Sequence, residues 1–446
     1  MQPSTTTDED AASGLRRELG RWDLTAIGVN QVIGGAIFAL PAALAANAGT
    51  WSPWLTALAG GASMLIALCF AEVGSRFEGT GGPYLYTRAA FGRFAAFEVG
   101  WLMWFTRVTS WASVINILVS SLGFYWPAMS RSGPRAATIA VITSAITAVN
   151  VRGIRQSSLV LNILTVAKLT PLVIFIVAGL FAVDVSRLSG GRTPSLHEFA
   201  TTGLLLIFAF GGYEVVPVPA GEARDPRRGV PFALIMTIAI ATVVFTLVQF
   251  VALGTLPDLT TSKTPLADAA QLFLGSAGAA LITVGAICST GGNNMGQALS
   301  GSRNLYALAE QGDLPPFFGR VHSRFRTPAN AVLFTSIVSF VLAVSGTFAL
   351  MAAASAITRL LVYLATCSAT LRLRDPRFAS SVKPAAFVVP LGPVIPIAAI
   401  LIGVTILTGA TSTQLATVAA ACVAGAVLYQ IAVRNAPTEP RPVILN

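Results

Sequence analysis

The chain reads as a succession of long apolar runs separated by short polar stretches. The runs fall at about 22–48, 52–75, 97–126, 136–150, 158–183, 199–220, 231–254, 276–300, 328–345, 348–371, 386–408 and 412–433. A helix needs roughly 20 apolar residues to cross a bilayer, and all but the 136–150 run reach or approach that length. The pattern predicts an all-α polytopic membrane protein with twelve transmembrane helices. Met1 to Gly20 are polar and lack the apolar core of a cleavable signal.

Two of the runs are interrupted. Gly34-Gly35 sit near the middle of the first, followed by Ala36-Ile37-Phe38 and then Pro41. Each mid-helix glycine costs about 1 kcal/mol relative to alanine. A break there leaves backbone groups without helical partners, which is tolerable only inside protein or along a wet cavity. Close packing of two helices through small residues is the competing explanation. Gly211-Gly212 interrupt the sixth run in the same way, so a packing explanation must hold twice. The two breaks occupy matching places in two five-helix halves, 21–183 and 198–375, of opposite topology. Paired interruptions of this kind point to a transporter site at an inverted-repeat interface. Two further helices at 386–433 and polar tails at 1–20 and 434–446 complete the expected organisation.

Composition and charge sharpen the class. Hydrophobic residues make up 54% of the 446 and charged ones 11%, against about a quarter charged in a soluble domain. The net charge of +10 alone would also fit a nucleic-acid or anionic-surface binder. Its distribution argues otherwise. Of the 29 lysines and arginines, most lie in alternate connections. They run from Arg16, Arg17 and Arg21, through Arg224, Arg227 and Arg228, to Arg434 and Arg441. The opposite connections hold Arg131, Arg135, Arg187, Arg192 and Lys263. The positive-inside rule then puts both termini in the cytoplasm of a cell-membrane protein, with the lipid bilayer as its partner and no nucleic acid. Cys69, Cys288, Cys367 and Cys422 all lie in apolar runs and read as small hydrophobes. His197 and His322 lie in connections, so no metal site is expected. The glycine-rich pieces lack the Gly-Lys-Ser/Thr ending of a phosphate loop, and no catalytic triad stands at membrane depth. An enzyme or an ATP-driven pump is therefore disfavoured, and no cofactor is implied.

At each break the first half-helix ends in free carbonyls and the second begins with free amides. Such amides suit a carboxylate and such carbonyls an ammonium. An α-amino acid carries both on one carbon, so two adjacent breaks form a receptor built mostly of backbone. Phe208, Tyr213 and residues of the third helix would supply side-chain selectivity. Three of the lysines and arginines lie within the runs, Arg107, Lys168 and Arg359. A charge at that depth is a functional hypothesis by default. Glu214 follows the second break directly, and Arg107 has two open roles, meeting a substrate carboxylate or pairing with Glu214. Asn293-Asn294 and Ser289-Thr290 are polar positions that interhelical hydrogen bonding explains. Glu72 is expected to order the Gly79–Tyr86 connection. The scarcity of charge near the breaks favours a neutral substrate, with Arg107 leaving room for an acidic one.

Ile33-Gly-Gly-Ala-Ile-Phe38 with Pro41 resembles the first-helix signature of the amino acid–polyamine–organocation transporters, usually Ile-Gly-(Ser/Ala)-Gly-Ile-Phe. Three further stretches are similar to that family: Gly79-Thr-Gly-Gly-Pro-Tyr-Leu-Tyr86, Glu222-Ala-Arg-Asp-Pro-Arg-Arg-Gly-Val-Pro231, and Ser302 through Pro315 with Thr327-Pro328. They recur in order along most of the chain. The resemblance implies the LeuT-type fold, a 5+5 inverted repeat with broken helices 1 and 6 plus two extra helices, and amino acid transport by alternating access.

Carried over by resemblance, the amides near Gly34, Gly35 and Ala36 meet the substrate carboxylate. The carbonyls of Val32, next to Ile33, and of Phe208 and Gly211 meet its amino group, and Phe208 is an aromatic lid. Ala36 departs from the family's usual glycine and cannot easily adopt positive φ, which puts the local backbone in question. Proton-coupled relatives place a lysine where others bind sodium, and Lys168 matches it. An ammonium can satisfy the same carbonyls as a sodium ion and can give up a proton. A snorkelling or carboxylate-paired lysine is the alternative. Glu214 matches a pH-responsive carboxylate of some exchangers, or is a structural buried acid. Lys168, Glu214 and Arg107 are thus the expected coupling and gating residues. The reading is a proton-coupled or exchange-driven amino acid transporter, working as a monomer or homodimer. A sodium-coupled symporter or an amine/polyamine exchanger is the alternative.

Overall fold

The computed structural model describes residues 16–345, 348–408 and 412–434. Fourteen α-helices carry these residues, and the only β-type contact among them is a bridge between Leu19 and Ala223. The protein is an all-helical, multi-pass membrane protein. The helices are α1 (Arg21–Val32), α2 (Ala36–Ala48), α3 (Ser52–Gly74), α4 (Pro83–Phe91), α5 (Arg93–Tyr125), α6 (Ser132–Arg152) and α7 (Ile154–Leu180). There follow α8 (Leu196–Phe210), α9 (Pro226–Thr255), α10 (Pro265–Glu310), α11 (Ala329–Ser345), α12 (Phe348–Arg372), α13 (Val394–Leu407) and α14 (Ser412–Arg434). By length and composition, Leu40–Gly74, Ser132–Arg152, Leu159–Leu180, Pro226–Thr255 and Pro265–Glu310 are each long and apolar enough to cross a membrane.

The polarity of the molecule is inverted relative to a soluble domain. On α7, Leu159, Ile163, Val166, Val173 and Val177 face outward, while Leu161, Thr165, Lys168, Leu172 and Phe175 are buried. That spacing is one helix face to lipid and one to protein. Arg107, Lys168, Glu214 and Arg303 are all buried. Charges collect inside because a buried charge is tolerable only when partnered by other polar groups.

Three departures from the apolar pattern have local causes. The run at 199–220 is helical only as far as Phe210. Beyond Gly211-Gly212 it continues as a 3₁₀ turn at Tyr213–Val215, further turns, and a second 3₁₀ turn at Ala220–Glu222. Pro217 and Pro219 lack the N–H that a continuing helix needs there. The run at 276–300 is the middle of the 46-residue α10, which bends at Gly275 (φ 68°, ψ −162°). Finally, Pro83–Phe91, expected as part of a connection, is helical. Tyr84 at its start donates to Asp313 at 2.5 Å, and Arg88 and Arg93 pair with the same carboxylate. Glu72 does not reach this segment. It takes Arg374 in a two-point bond at 2.7 and 2.5 Å and the amide of Val389 at 2.8 Å, because Ser52–Gly74 ends beside the α12 terminus. The two breaks are enclosed by the helices around them: α1 packs on α7, α9 and α10, and α2 on α8 and α10.

Candidate functional site

The first break separates α1 from α2. Ile33 caps α1 through its amide, which donates to Val29 O at 2.8 Å, and the amide of Gly34 turns back to Val32 O at 2.9 Å. Gly35 is the N-cap of α2 at φ −65°, ψ −23°. Ala36 opens that helix, and among the described non-glycine residues only Arg326 and Leu391 have positive φ. The substitution of alanine for the usual glycine therefore imposes no strain. What the glycines provide is proximity. A Cβ on Gly34 would lie 3.0 Å from Asn293 Nδ2, and one on Gly35 3.3 Å from Thr290 Cγ2. At the start of α2 the amides of Gly35 and Ala36 have no acceptor among the described residues, which leaves the positive end of that helix open to an anion.

The opposing carbonyls are taken. Lys168 Nζ donates to Asn30 O at 2.9 Å and to Ile33 O at 2.6 Å, and Ser289 Oγ donates to Ile33 O at 3.0 Å. Asn293 Nδ2 donates to Gln31 O at 3.1 Å. An ammonium thus sits at the negative end of α1, with neither exposure to lipid nor a carboxylate partner among the described residues.

The second break abuts the first. Gly212 has φ +129°, a conformation glycine adopts without penalty, and a Cβ there would lie 2.8 Å from the carbonyl carbon and oxygen of Gln31. The amide of Gly212 donates to Glu214 Oε2 at 2.8 Å, and Tyr363 donates its hydroxyl to the same oxygen at 2.8 Å. On the other oxygen, Oε1, Arg107 Nη2 donates a hydrogen bond and Arg359 Nε lies 2.8 Å away. From Arg107 the network continues through Gln297 Oε1 (3.1 Å) and from Gln297 Nε2 to Asn293 Oδ1 (3.2 Å). Gln31 Nε2 closes it by donating to Asn293 O at 3.0 Å. A continuous polar chain therefore links one break to the other through α10 and α5. Such networks favour one arrangement of the helices they join.

The amino acid permease family model matches residues 19–432. The chain belongs to the amino acid permease family. The permease is 28% identical to the methylthioribose transporter of Bacillus subtilis (strain 168) over 351 residues, 75% of this chain and 76% of that protein. It is 30% identical to the putative arginine/ornithine antiporter of the same organism over 362 residues, covering 72% and 76%. With the branched-chain amino acid permease BcaP, also of Bacillus subtilis, it shares 27% identity over 348 residues, 74% of each chain.

The permease brings most of the residues singled out from sequence to the two breaks. Val32, Ile33, Gly34, Gly35 and Ala36 form the first, and Gly211, Tyr213 and Glu214 the second. Phe208 lies in α8 two residues before its end, and its side chain is outside the described residues. Tyr213 is buried, with its ring stacked 5.1 Å from that of Tyr363. Arg107 takes the second of its two open roles, since both of its terminal nitrogens are bonded within the protein. Gln31, Gln297, Arg359 and Tyr363 were not singled out as site residues. Of these, only Arg359 carried a signal, as a charge within an apolar run. Arg303, counted among the topology charges, is buried and pairs with Glu222 at 3.0 Å.

Proposed function

We propose that this permease is a proton-coupled secondary transporter that binds an α-amino acid at the paired breaks and moves it by alternating access. In this reading twelve transmembrane helices form a LeuT-type pair of inverted five-helix repeats with two helices appended, and both termini face the cytoplasm. The amides of Gly35 and Ala36 receive the substrate carboxylate. The carbonyls at the end of α8, at Phe208 and Gly211, receive its amino group.

The observation that carries the coupling is the seat of Lys168 on the carbonyls of Asn30 and Ile33 beside Ser289. A sodium ion would use the same oxygens, and an ammonium already holds them. A lysine can donate its proton and an ion cannot, so release of that proton would free the end of α1 to move. Glu214 is read as structural, its three hydrogen-bond donors and the adjacent Arg359 fixing Gly212 against Gln31. Two of the three relatives carry amino acids in their names, and their side chains differ widely, which agrees with a receptor built on the shared backbone of the substrate. Counterflow in proteoliposomes tests the substrate class: vesicles loaded with one amino acid should accumulate the labelled form from outside. If no amino acid exchanges above protein-free vesicles, the reading fails.

A further inference from the structure

The second break carries more positive charge than its carboxylate cancels. Arg107 and Arg359 are both buried, and both converge on Glu214 Oε1. Their positions within the network differ. Arg107 uses one terminal nitrogen on Glu214 and the other on Gln297. Arg359 brings Nε within ion-pair distance of Glu214, at 2.8 Å, without a hydrogen bond from that nitrogen. That nitrogen is buried without a hydrogen-bond partner among the described residues, and the side chain is only 8% exposed. The same group lies against the break itself, since a Cβ on Gly211 would fall 2.2 Å from Arg359 Nη1. Glycine at that position makes room for the guanidinium.

We propose that Arg359 binds an anionic side chain of the transported molecule, so that the preferred substrates are acidic amino acids. This rests on the breaks being an amino acid site. A buried cation left without full compensation is costly unless a partner arrives. The planar fork of an arginine matches a carboxylate at two points, which gives geometry as well as charge. Lys168, Arg107 and Arg359 set against Glu214 also repel a substrate with a cationic side chain, so the same groups select against lysine and ornithine. The α-carboxylate is received at α2 and the side-chain carboxylate at Arg359.

Thermal unfolding of the purified permease, at fixed pH and ionic strength, provides the test. Glutamate and aspartate are compared with glutamine and asparagine, and each acid differs from its amide only in the charged group. The expected result is stabilisation by at least one acid at concentrations where its amide has no effect. In Arg359→Gln the half-saturating acid concentration should rise at least tenfold, while Arg359→Lys keeps the preference for the acid with weaker binding. Equal shifts by acid and amide in the unmodified protein overturn the proposal, and that comparison needs no variant to fold. A lower melting temperature in Arg359→Gln with acid preference unchanged also overturns it, leaving Arg359 a structural partner of Glu214. A protein stabilised by neutral amino acids alone refutes this inference and spares the amino acid site. Silence toward every amino acid refutes both.

Discussion

The ammonium of Lys168 lies 2.6 Å from the carbonyl oxygen of Ile33, at the C-terminal end of the first half-helix. The last carbonyls of a helix have no partner within it and carry the negative end of its dipole. In this permease a side chain from α7 supplies the positive charge there. Replacing Lys168 by methionine keeps the stem and removes the charge, leaving Asn30 O without this donor and Ile33 O with Ser289 alone. Transport should be abolished. A buried acceptor left unsatisfied costs about 1–3 kcal/mol, so a lower melting temperature should accompany the loss. Uptake corrected for the amount of folded protein separates the two effects, and near-normal uptake by Lys168→Met would remove Lys168 from the mechanism.

Glu214 is the anion at the centre of two guanidiniums, an amide and a hydroxyl. Glutamine has nearly the same shape but leaves Arg107 and Arg359 without a counter-charge. Breaking a buried ion pair from one side costs roughly 3–5 kcal/mol, so Glu214→Gln should melt far below the parent protein. Tyr363→Phe removes a single neutral donor and should cost only about 1 kcal/mol. Melting curves of the two variants in one detergent check the order, and an equal loss in both would contradict the charge-centred account.

Glycines of this chain divide by what surrounds them. Gly212→Ala faces a positive φ and a Cβ 2.8 Å from the Gln31 backbone, with strain of order 1–3 kcal/mol and displacement of one break from the other. Transport should fall to background. Gly61 lies within α3 with nothing inside 4 Å of an added Cβ. Gly61→Ala should therefore be neutral or stabilise by up to ~1 kcal/mol through helix propensity. The pair is read by uptake and melting together, and an active Gly212→Ala would show that the two breaks need not abut.

Legibility from sequence followed the physics of each feature. The glycine pairs at 34–35 and 211–212 stand out because glycine is expensive inside a helix, and Lys168 because a charge is expensive inside an apolar run. Arg107 and Arg359 were visible as charges, but which way they face depends on helix rotation and crossing, which no local pattern encodes. Gln31 and Asn293 are 262 positions apart and uncharged, so nothing in either run marks them as partners. Pro217 and Pro219 were in plain view within an apolar stretch. Hydropathy counted their residues as membrane-compatible, while their missing amides keep the helix that ends at Phe210 from resuming there. Arg303 fitted the charge alternation that assigned topology, yet its guanidinium is buried on Glu222, so charge counting and burial are separate questions.

The seat of Lys168 makes one measurement decisive. Proteoliposomes containing the permease are loaded with buffer and given either an inwardly directed proton gradient or an inwardly directed sodium gradient, and labelled amino acid uptake is followed in each. With an ammonium already on the carbonyls of Asn30 and Ile33, the proton gradient should drive accumulation, the sodium gradient should not, and Lys168→Met should lose the response. Accumulation that follows sodium and ignores the proton gradient would contradict the account at its centre.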